Sequence, residues 1–253
     1  MISVCTKTAD WRRLRTSPEW SRYSVGFVPT MGALHSGHTE LLRRAREEND
    51  RVVLSIFVNP TQFNDPRDLA QYPRTLDADV ELARPWADVV LVPPAAEIYP
   101  DNYRFRVTEN DLSRRLEGAR RPGHFDGVLT VVMKLLNLVQ PHRAYFGEKD
   151  HQQLQLVRGM VDAFFLPMTI VACPTVRAPD GLALSSRNAR LSEQARAVAA
   201  IFPQILRSAS TAAEAEVALN AHGLAVDYVE DVHGVRLGAV RIEGVRLIDN
   251  VPV

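Results

Sequence analysis

Two histidines lie three positions apart where a predicted turn passes into a predicted helix. The stretch "VPTMGALHSGHTELL" (28–42) carries Gly32 and Gly37 around His35 and ends with His38 and an apolar helical run. Imidazole N–H groups bind anions, and so do the unpaired backbone N–H groups of a first helical turn, for which phosphate is the common ligand. The pattern favours a phosphate site over the alternative of one capping histidine and one packed histidine.

A second polar stretch follows a predicted strand and reads "FVNPTQFNDPRDLAQYPRTLDAD" (57–79). It places Asn59 and Gln62 directly after the strand, and Tyr72 follows ten residues later. Amides and a phenol suit a small substrate with hydroxyl and carboxylate groups. The alternative is a long loop in which Asn and Asp serve only to form turns.

The third stretch, "FGEKDHQQL" (146–154), also begins at a strand end. Lys149 could neutralise phosphate, Asp150 could accept hydrogen bonds from ribose hydroxyls, and Gln153 could face the same pocket one helical turn later. The alternative is a solvent-facing turn. The functional interpretation is favoured because three strand ends would bring polar groups to one edge of a sheet.

The fourth stretch is "DGLALSSRNARLS" (180–192), in which two serines precede Arg187. Two hydroxyl donors and a forked cation suit the β- and γ-phosphates of a nucleotide in a reaction that releases phosphate groups. By itself the stretch could equally be a surface loop between two domains.

Alternating strands and helices must position these four stretches. Short β-branched or aromatic runs predict strands at 25–28, 52–58, 89–92, 144–146 and 169–171. Apolar residues at helical spacing predict helices at 37–48, 76–86, 127–139 and 151–164. This order predicts an α/β fold with a Rossmann-like, mostly parallel sheet and helices on both faces. Such sheets bind ligands at the carboxyl ends of their strands.

The pattern changes after residue 190. Ser192 is a predicted helix cap, and short strands are predicted at 226–229 and 245–248. We therefore expect a Rossmann-like domain over residues 1–177 and a smaller C-terminal α+β domain over residues 178–253.

Composition excludes several classes of protein. Lysine plus arginine and aspartate plus glutamate each number 30, which disfavours a nucleic-acid-binding protein. The basic run Arg114–His124 is interpreted as a solvated loop rather than a polyanion site. Cys5 and Cys173 are expected to be small buried residues of a reducing compartment. The N-terminus lacks a signal-peptide pattern, and no apolar run reaches the ~20 residues of a membrane span. A cytoplasmic protein is expected.

Taken together, the four stretches resemble the pantothenate synthetase (pantoate–β-alanine ligase) family of the HxGH nucleotidyltransferase superfamily. The matching strings occur in the family's order over roughly residues 25–195. They are "VPTMGALHSGH", "SIFVNPTQF", "YPRTLDAD", "RPGHFDGVLTVVMKLLNLVQPHRAYFGEKDHQQL" and "SSRNARLS", and the ending "RLIDN" (246–250) also resembles the family.

The resemblance implies a role for each matching residue. His38 and His35, with Lys149 and Arg187, would be catalytic, and His38 would be the proton donor. The ATP-binding set would be Met31, Gly32, Ala33, Leu34, His35, Ser36, Gly37, His38, Gly147, Glu148, Lys149, Asp150, Val176, Leu184, Ser185, Ser186 and Arg187. The pantoate and β-alanine set would be Gln62, Gln153, Pro29, Met31, Asn59 and Tyr72.

The resemblance also implies a reaction: ATP activates (R)-pantoate as pantoyl adenylate, and β-alanine then displaces AMP to give pantothenate. Mg²⁺ is expected as the companion of ATP, with unknown protein ligands, no prosthetic group is expected, and a homodimer is implied. The C-terminal domain would act as a lid. Because the stretch 227–250 is shorter than expected for the family, we anticipate weaker sequestration of the adenylate.

Other functions predict different features. A plain nucleotidyltransferase would form a dinucleotide and need no amine. A class I aminoacyl-tRNA synthetase is disfavoured because the chain has no net charge and no RNA-binding domain. A degenerate nucleotide-binding scaffold would have lost charged motif residues, yet His35, His38, Lys149 and Arg187 are all present.

Overall fold

The computed structural model describes residues 2–253, which form two compact units. The first contains the chain up to Leu34, His38–Gly147 and Gln152–Cys173. The second contains His35–Gly37, Glu148–His151 and Pro174–Val253. The main division after Cys173 lies four residues before the predicted boundary, and the two short segments were not predicted to belong with the C-terminal unit.

A six-stranded parallel sheet forms the centre of the first unit. Its strands are β1 (Ser3–Cys5), β2 (Val25–Thr30), β3 (Arg51–Ile56), β4 (Val89–Leu91), β5 (Arg143–Gly147) and β6 (Thr169–Cys173). Their order in the sheet is β1-β4-β3-β2-β5-β6, and all pairs are parallel. Thr30, Ile56 and Gly147 therefore end three adjacent strands at one edge, which confirms that the first three polar stretches begin at strand ends.

Helices connect the strands. Between residues 2 and 173 they are α1 (Thr8–Arg15), α2 (Pro18–Ser21), α3 (Ser36–Glu48), α4 (Pro66–Ala70), α5 (Leu76–Ala83), α6 (Ala95–Ile98), α7 (Glu117–Arg120), α8 (His124–Val139) and α9 (His151–Ala163). The four predicted helices correspond to α3, α5, α8 and α9. Strand β1 was missed because it is a short, largely exposed edge strand, whereas the equally short β4 is a fully buried apolar run.

Alternate residues of the strands enter two apolar cores, one on each face of the sheet. Phe27, Val53 and Phe146 join the core that contains α8 residues such as Leu129. Their neighbours in sequence, such as Val28, join the second core. Burial on both faces explains why these strands are continuously hydrophobic rather than alternating.

Pro29 lies in β2, a central strand, although proline lacks the N–H that a ladder needs. Strand β2 pairs with β3 along Val25–Thr30, but its pairing with β5 is confined to Gly26 and Phe27. The proline therefore falls near the carboxyl end of β2, where one side of the ladder has ended.

The second unit contains a three-stranded antiparallel sheet and three helices. The strands β7 (Ala225–Val232), β8 (Val235–Ile242) and β9 (Val245–Pro252) pair in sequence order. The helices are α10 (Glu193–Ala199), α11 (Ile201–Ser208) and α12 (Ala212–Ala221). Strand β8 was not predicted, whereas the cap at Ser192 is confirmed because its Oγ accepts the N–H of Ala195 at 3.1 Å.

The unit has its own apolar core, which contains Phe202, Leu206 and Leu219 from its helices together with Val240 and Leu247 from its sheet. This α+β arrangement agrees with the predicted class of the C-terminal domain. A role as a lid stays a prediction.

The two cysteines behave differently from each other. Cys173 is buried, as predicted, and burial raises the pKa of its thiol to about 11. Cys5 is only half-buried, contrary to expectation, because β1 is an edge strand. Burial also raises the pKa of the Cys5 thiol, with a smaller effect from Asp10. A raised pKa keeps both thiols mainly in the protonated form, which is the poorer nucleophile.

None of the helices in residues 2–253 is both long enough and apolar enough to cross a membrane.

Candidate active site

The turn after β2 is fixed by a buried carboxylate. Asp79, only 3% exposed, accepts the N–H of Ala33 at 3.0 Å and the N–H of Leu34 at 2.8 Å. Thr75 donates its hydroxyl to the same carboxylate at 3.2 Å. Gly32 and Ala33 have φ values of 82° and 50°, so the backbone here is left-handed and needs such support.

Sequence reasoning missed Asp79. The residue belongs to the string "YPRTLDAD", which was noted without a role for any of its carboxylates. A polar residue at a helical position on the buried face of α5 was the available signal, because a buried carboxylate requires partners.

Asn59 and Gln62 form a hydrogen-bonded pair after β3. The Asn59 amide donates to Gln62 Oε1 at 2.8 Å and to the carbonyl of Gly127 at 3.2 Å. Its own oxygen accepts the Tyr99 hydroxyl at 2.6 Å and the Thr61 hydroxyl at 3.0 Å. Asn59 is only 1% exposed, so it is a buried residue that holds the side chain of Gln62 rather than a residue open to a ligand. Gln62 also directs its amide at Met31 Sδ at 3.3 Å.

The basic run Arg114–His124 is not simply a solvated loop. Arg114 and Arg120 are exposed, but Glu117 and His124 are buried. His124 Nδ1 lies 2.8 Å from the carbonyl of Gln62, and Arg121 donates to the same oxygen at 3.2 Å. The solvated-loop interpretation was wrong for the buried half, because this segment packs on the backbone that carries Gln62.

The two adjacent glutamines of α9 have different environments. Gln152 is buried, donates to the carbonyls of Leu112 and Arg115 at 2.7 and 2.9 Å, and accepts the N–H of Glu117 at 3.1 Å. Gln153 is half-buried, which leaves it the better candidate for a ligand contact.

The other predicted residues of the first unit lie in three settings. His38 is half-buried in the first turn of α3, and Tyr72 packs edge-on against Phe63 with ring centroids 5.7 Å apart. Pro29 and Gly147 are half-buried at the ends of their strands. A polar cleft of about 180 Å³ beside Gln62 is lined by Arg106, Asp126 and His124 among others.

In the second unit, His35 is held by the backbone that follows it. The N–H of Gly37 donates to His35 Nδ1 at 3.1 Å, so Nδ1 is unprotonated and the neutral imidazole carries its proton on Nε2. Burial and, to a smaller extent, the charge of Lys149 lower the pKa of His35, while Asp150 opposes them. The structure therefore favours a neutral histidine whose remaining N–H donor is Nε2.

The Glu148–Asp150 segment, half-buried throughout, forms a 3₁₀ turn directly after β5. The side-chain amide of Asn250 donates to the carbonyl of Glu148 at 2.9 Å and to that of Lys149 at 3.0 Å. These two bonds fix the backbone from which the Lys149 side chain extends.

The remaining predicted residues lie on a hairpin and the turn after it. The N–H of Leu184 donates to the carbonyl of Val176 at 3.0 Å. Between these two residues, the backbones of Arg177 and Ala183 form an antiparallel β-bridge. Ser185 caps the following 3₁₀ helix (Ser186–Arg190) by accepting the N–H of Arg187 at 3.3 Å. Ser186 and Arg187 are half-buried in that first turn. Hydrogen bonds therefore order each of the four polar stretches, some of them within the stretch and others from distant residues such as Asp79 and Asn250.

Among residues 2–253, no three side chains of His, Cys, Asp or Glu are grouped so that they could hold a metal ion. Mg²⁺ does not require such a group, because it is usually coordinated by substrate phosphates and water with one or two carboxylates.

Comparison with known families decides what kind of protein carries this arrangement. The model of the family described as "Pantoate-beta-alanine ligase" matches residues 3–252. The chain belongs to this pantoate-beta-alanine ligase family. The match extends beyond residues 25–195 and 246–250, the stretches that carry the sequence resemblance.

Relatives in the ligase family align over nearly their full length. The pantothenate synthetase of Bdellovibrio bacteriovorus is 55% identical over 244 residues, covering 96% of this chain and 95% of the relative. That of Coxiella burnetii is 49% identical over 253 residues, covering 100% of this chain and 97% of the relative. The chain is therefore an enzyme of this family, as its sequence motifs predicted.

Solved structures of the family share the fold. The pantoate-beta-alanine ligase from Francisella tularensis, complexed with beta-gamma ATP and beta-alanine, has a TM-score of 0.94 and 41% identity, and the match covers 100% of this chain and 98% of that one. Pantothenate synthetase from Thermus thermophilus has a TM-score of 0.90 at 41% identity, with 99% of both chains covered. The predicted fold class is confirmed.

Proposed function

We propose that the enzyme condenses (R)-pantoate with β-alanine at the expense of ATP, giving pantothenate, AMP and pyrophosphate through a pantoyl adenylate. The observation that carries the proposal is the full-length match to the Francisella enzyme, which was crystallised with a nucleotide and β-alanine. The chain retains His35, His38, Lys149 and Arg187, the charged and imidazole groups that such a reaction needs.

In the first step, a pantoate carboxylate oxygen attacks the α-phosphorus of ATP, the bond to the bridging oxygen breaks, and pyrophosphate leaves. In the second, the β-alanine amine attacks the acyl carbon, the bond to the AMP oxygen breaks, and the amine loses a proton. AMP departs with one oxygen from the original carboxylate.

Each half of the reaction is assigned to residues described above. Gln62 and Gln153 bind pantoate, with Pro29, Met31 and Tyr72 beside it and Asn59 supporting Gln62. The neutral His35 donates from Nε2 to a phosphate oxygen, and His38 donates a proton to the leaving group. Lys149 and the Ser185–Arg187 turn neutralise phosphate charge, an electrostatic effect for which one donor is typically worth about 10²–10³ in rate.

The nucleotide is assigned to the turn that Asp79 fixes, to Glu148–Asp150 and to the hairpin that joins Val176 to Leu184. Mg²⁺ would accompany ATP, because this ion is usually held by substrate phosphates and water with one or two carboxylates. When bound, it supplies further neutralisation of phosphate charge.

An isotope experiment tests the adenylate. Pantoate labelled with ¹⁸O in its carboxylate is incubated with ATP and β-alanine, and the AMP is analysed by mass spectrometry. One ¹⁸O atom is expected in AMP. Unlabelled AMP, with label retained in pantothenate, would contradict an acyl adenylate. A dinucleotide formed without β-alanine would instead indicate a plain nucleotidyltransferase.

A variant tests the role of His38. His38→Ala should fold normally and lose pantoate-dependent AMP formation by at least about 10²-fold, because a donor to the reacting phosphates is lost. His222→Ala, which changes an exposed histidine at the end of α12, is the control. Near-full activity in the His38 variant would remove this residue from the mechanism.

Three further features belong to the proposal: the C-terminal unit as a lid, a homodimer and a cytoplasmic location. If the C-terminal unit is a trimmed lid, more than one AMP should form per pantothenate at limiting β-alanine, because the adenylate is then hydrolysed by water. A ratio of one would argue for full sequestration.

A further inference from the structure

The C-terminal strand β9 contains a pair of adjacent polar residues, Asp249 and Asn250, that the reaction described above does not use. Along this strand, buried and half-buried residues alternate, so Asp249 and Asn250 point to opposite faces. Asp249 is 3% exposed, and Asn250 is half-buried. Both occur in the string "RLIDN", for which the sequence suggested no role.

Asn250 uses both hydrogens of its amide on consecutive backbone carbonyls. Its Nδ2 lies 2.9 Å from the oxygen of Glu148 and 3.0 Å from the oxygen of Lys149. Only the NH₂ end of the amide can face two acceptors, so the orientation of the side chain is determined chemically. These bonds hold the 3₁₀ turn that carries Lys149.

An ion pair between the half-buried Arg177 and the buried Asp249 holds Asn250 in place. Arg177 binds Asp249 with two parallel bonds, Nη1 to Oδ2 at 2.6 Å and Nη2 to Oδ1 at 2.9 Å. The same guanidinium donates to the carbonyl of Asn250 at 3.2 Å, and Asp249 Oδ1 accepts the N–H of Asn250 at 2.8 Å. The Asp249 side chain is 1% exposed, so water does not compete for these bonds.

The ion pair also connects the hairpin to β9. Arg177 donates to the carbonyl of Gly181 at 3.1 Å, across the hairpin whose Val176 and Leu184 pair through their backbones. The end of β9 is thereby bonded to both segments of the second unit that are assigned to the nucleotide.

We propose that Asn250 is a positioning residue for the ATP site. Its amide orients Lys149 through the carbonyls of Glu148 and Lys149. The Arg177–Asp249 pair in turn holds Asn250. This proposal rests on the function proposed above. It assigns the C-terminal "RLIDN" string to nucleotide binding, although none of its residues needs to contact the nucleotide.

Kinetics of two variants test the chemistry of the amide. Asn250→Ala removes both donors, and Asn250→Asp keeps the shape but sets a carboxylate against two carbonyls. We expect both to lower kcat/KM for ATP by about 10- to 100-fold, because a small misplacement of a catalytic group costs about this much. The KM for pantoate should change little. Asn220→Asp, at an exposed amide that bonds the carbonyl of Glu216, is the matched control.

A double-mutant cycle separates positioning from general stability. If Asn250 acts through Lys149, Asn250→Ala should have almost no further effect on kcat/KM in a Lys149→Ala background. A folded Asn250→Asp enzyme with wild-type kinetics, or equal losses in both backgrounds, would overturn the proposal.

The titration of His35 gives a readout that does not depend on catalysis. His35 faces Lys149 and Asp150, and Lys149 helps to lower its pKa. Displacement of Lys149 in Asn250→Ala should raise the pKa of His35, measured by NMR with the signal assigned through His35→Gln. An unchanged titration would contradict the proposed displacement. The His35 titration can be measured whether or not ¹⁸O appears in the AMP formed by the wild-type enzyme. The positioning role of Asn250 and the proposed reaction can therefore be disproved independently.

Discussion

The carboxylate of Asp79 accepts the backbone N–H of Ala33 at 3.0 Å, across 46 residues of sequence. It also accepts the neighbouring N–H of Leu34 at 2.8 Å. One buried side chain therefore determines the backbone course of a turn in which two consecutive residues have positive φ.

Asp79→Asn should disorder this turn, because an amide can supply an acceptor to only one of the two N–H groups without directing a donor at the other. We expect a loss of about 1–3 kcal/mol in the free energy of unfolding, typical of a buried polar group left unsatisfied. The kcat/KM for ATP should fall by at least about tenfold. Urea denaturation and steady-state kinetics measure both. Asp77→Asn, an exposed neighbour on α5, should change neither quantity.

Gly37→Ala should displace the imidazole of His35. A Cβ at position 37 would lie 2.9 Å from His35 Cε1, closer than real Cβ contacts come, and 3.0 Å from Nδ1, so the imidazole must shift. We expect kcat/KM to fall by about 10- to 100-fold through misplacement of this donor. Gly159→Ala on α9 is the control, since nothing lies within 4 Å of its added methyl group. Equal activity of both variants would show that His35 tolerates another position.

The pH dependence of stability should reveal His35. Its pKa is lowered in the folded state by burial and then by Lys149. Between that lowered pKa and the unfolded value of ~6.5, only the unfolded chain binds the proton. The contribution of His35 to the free energy of unfolding is therefore complete above pH ~6.5, and it is lost as the pH falls toward the pKa of the folded state.

Urea midpoints from pH 5 to 8 measure this effect as the difference between wild type and His35→Gln. The wild type should lose more stability on acidification than the variant. Parallel curves would mean that the His35 pKa is the same in both states. The comparison removes contributions from the other histidines.

Much of the sheet could be predicted because its strands are buried on both faces. Continuous apolar runs such as that of β3 stand out between turn residues, and the helices α8 and α9 show clear periodicity. Strand β8 was missed because its sequence "VRLGAVRI" contains a glycine and two arginines. The first arginine, Arg236, is only 1% exposed. Its guanidinium donates hydrogen bonds to Asp231 and to carbonyls at the end of α11, and no local sequence pattern reveals these partners.

The partners of the supporting residues could not be predicted for the same reason. Asp79, Gln152 and Asn250 act across 45, 37 and 101 residues on the backbones of other segments. Motif spacing identifies residues that share a turn, such as His35 and Gly37. It does not identify which distant carboxylate or amide completes the hydrogen bonds of that turn, because this depends on the packed fold.

Asn59→Ala should weaken pantoate binding more than ATP binding. The Asn59 amide orients Gln62 through a 2.8 Å bond, and its oxygen accepts two hydroxyls, those of Thr61 and Tyr99. Truncation frees the Gln62 side chain to rotate. It also removes the acceptor of the 2.6 Å hydrogen bond from the Tyr99 hydroxyl, a group whose pKa is raised to about 12 by burial. We expect KM for pantoate to rise by about tenfold with a smaller change for ATP, and a stability loss of about 1–3 kcal/mol. Asn137→Ala, at an exposed amide of α8 that bonds the carbonyl of Met133, controls for loss of an asparagine. A proportional rise in both KM values would instead indicate a general destabilisation of the first unit.

A double-mutant experiment tests whether Asn59 acts through Gln62. A Gln62→Ala variant whose kinetics do not change on the further Asn59→Ala substitution would show that it does.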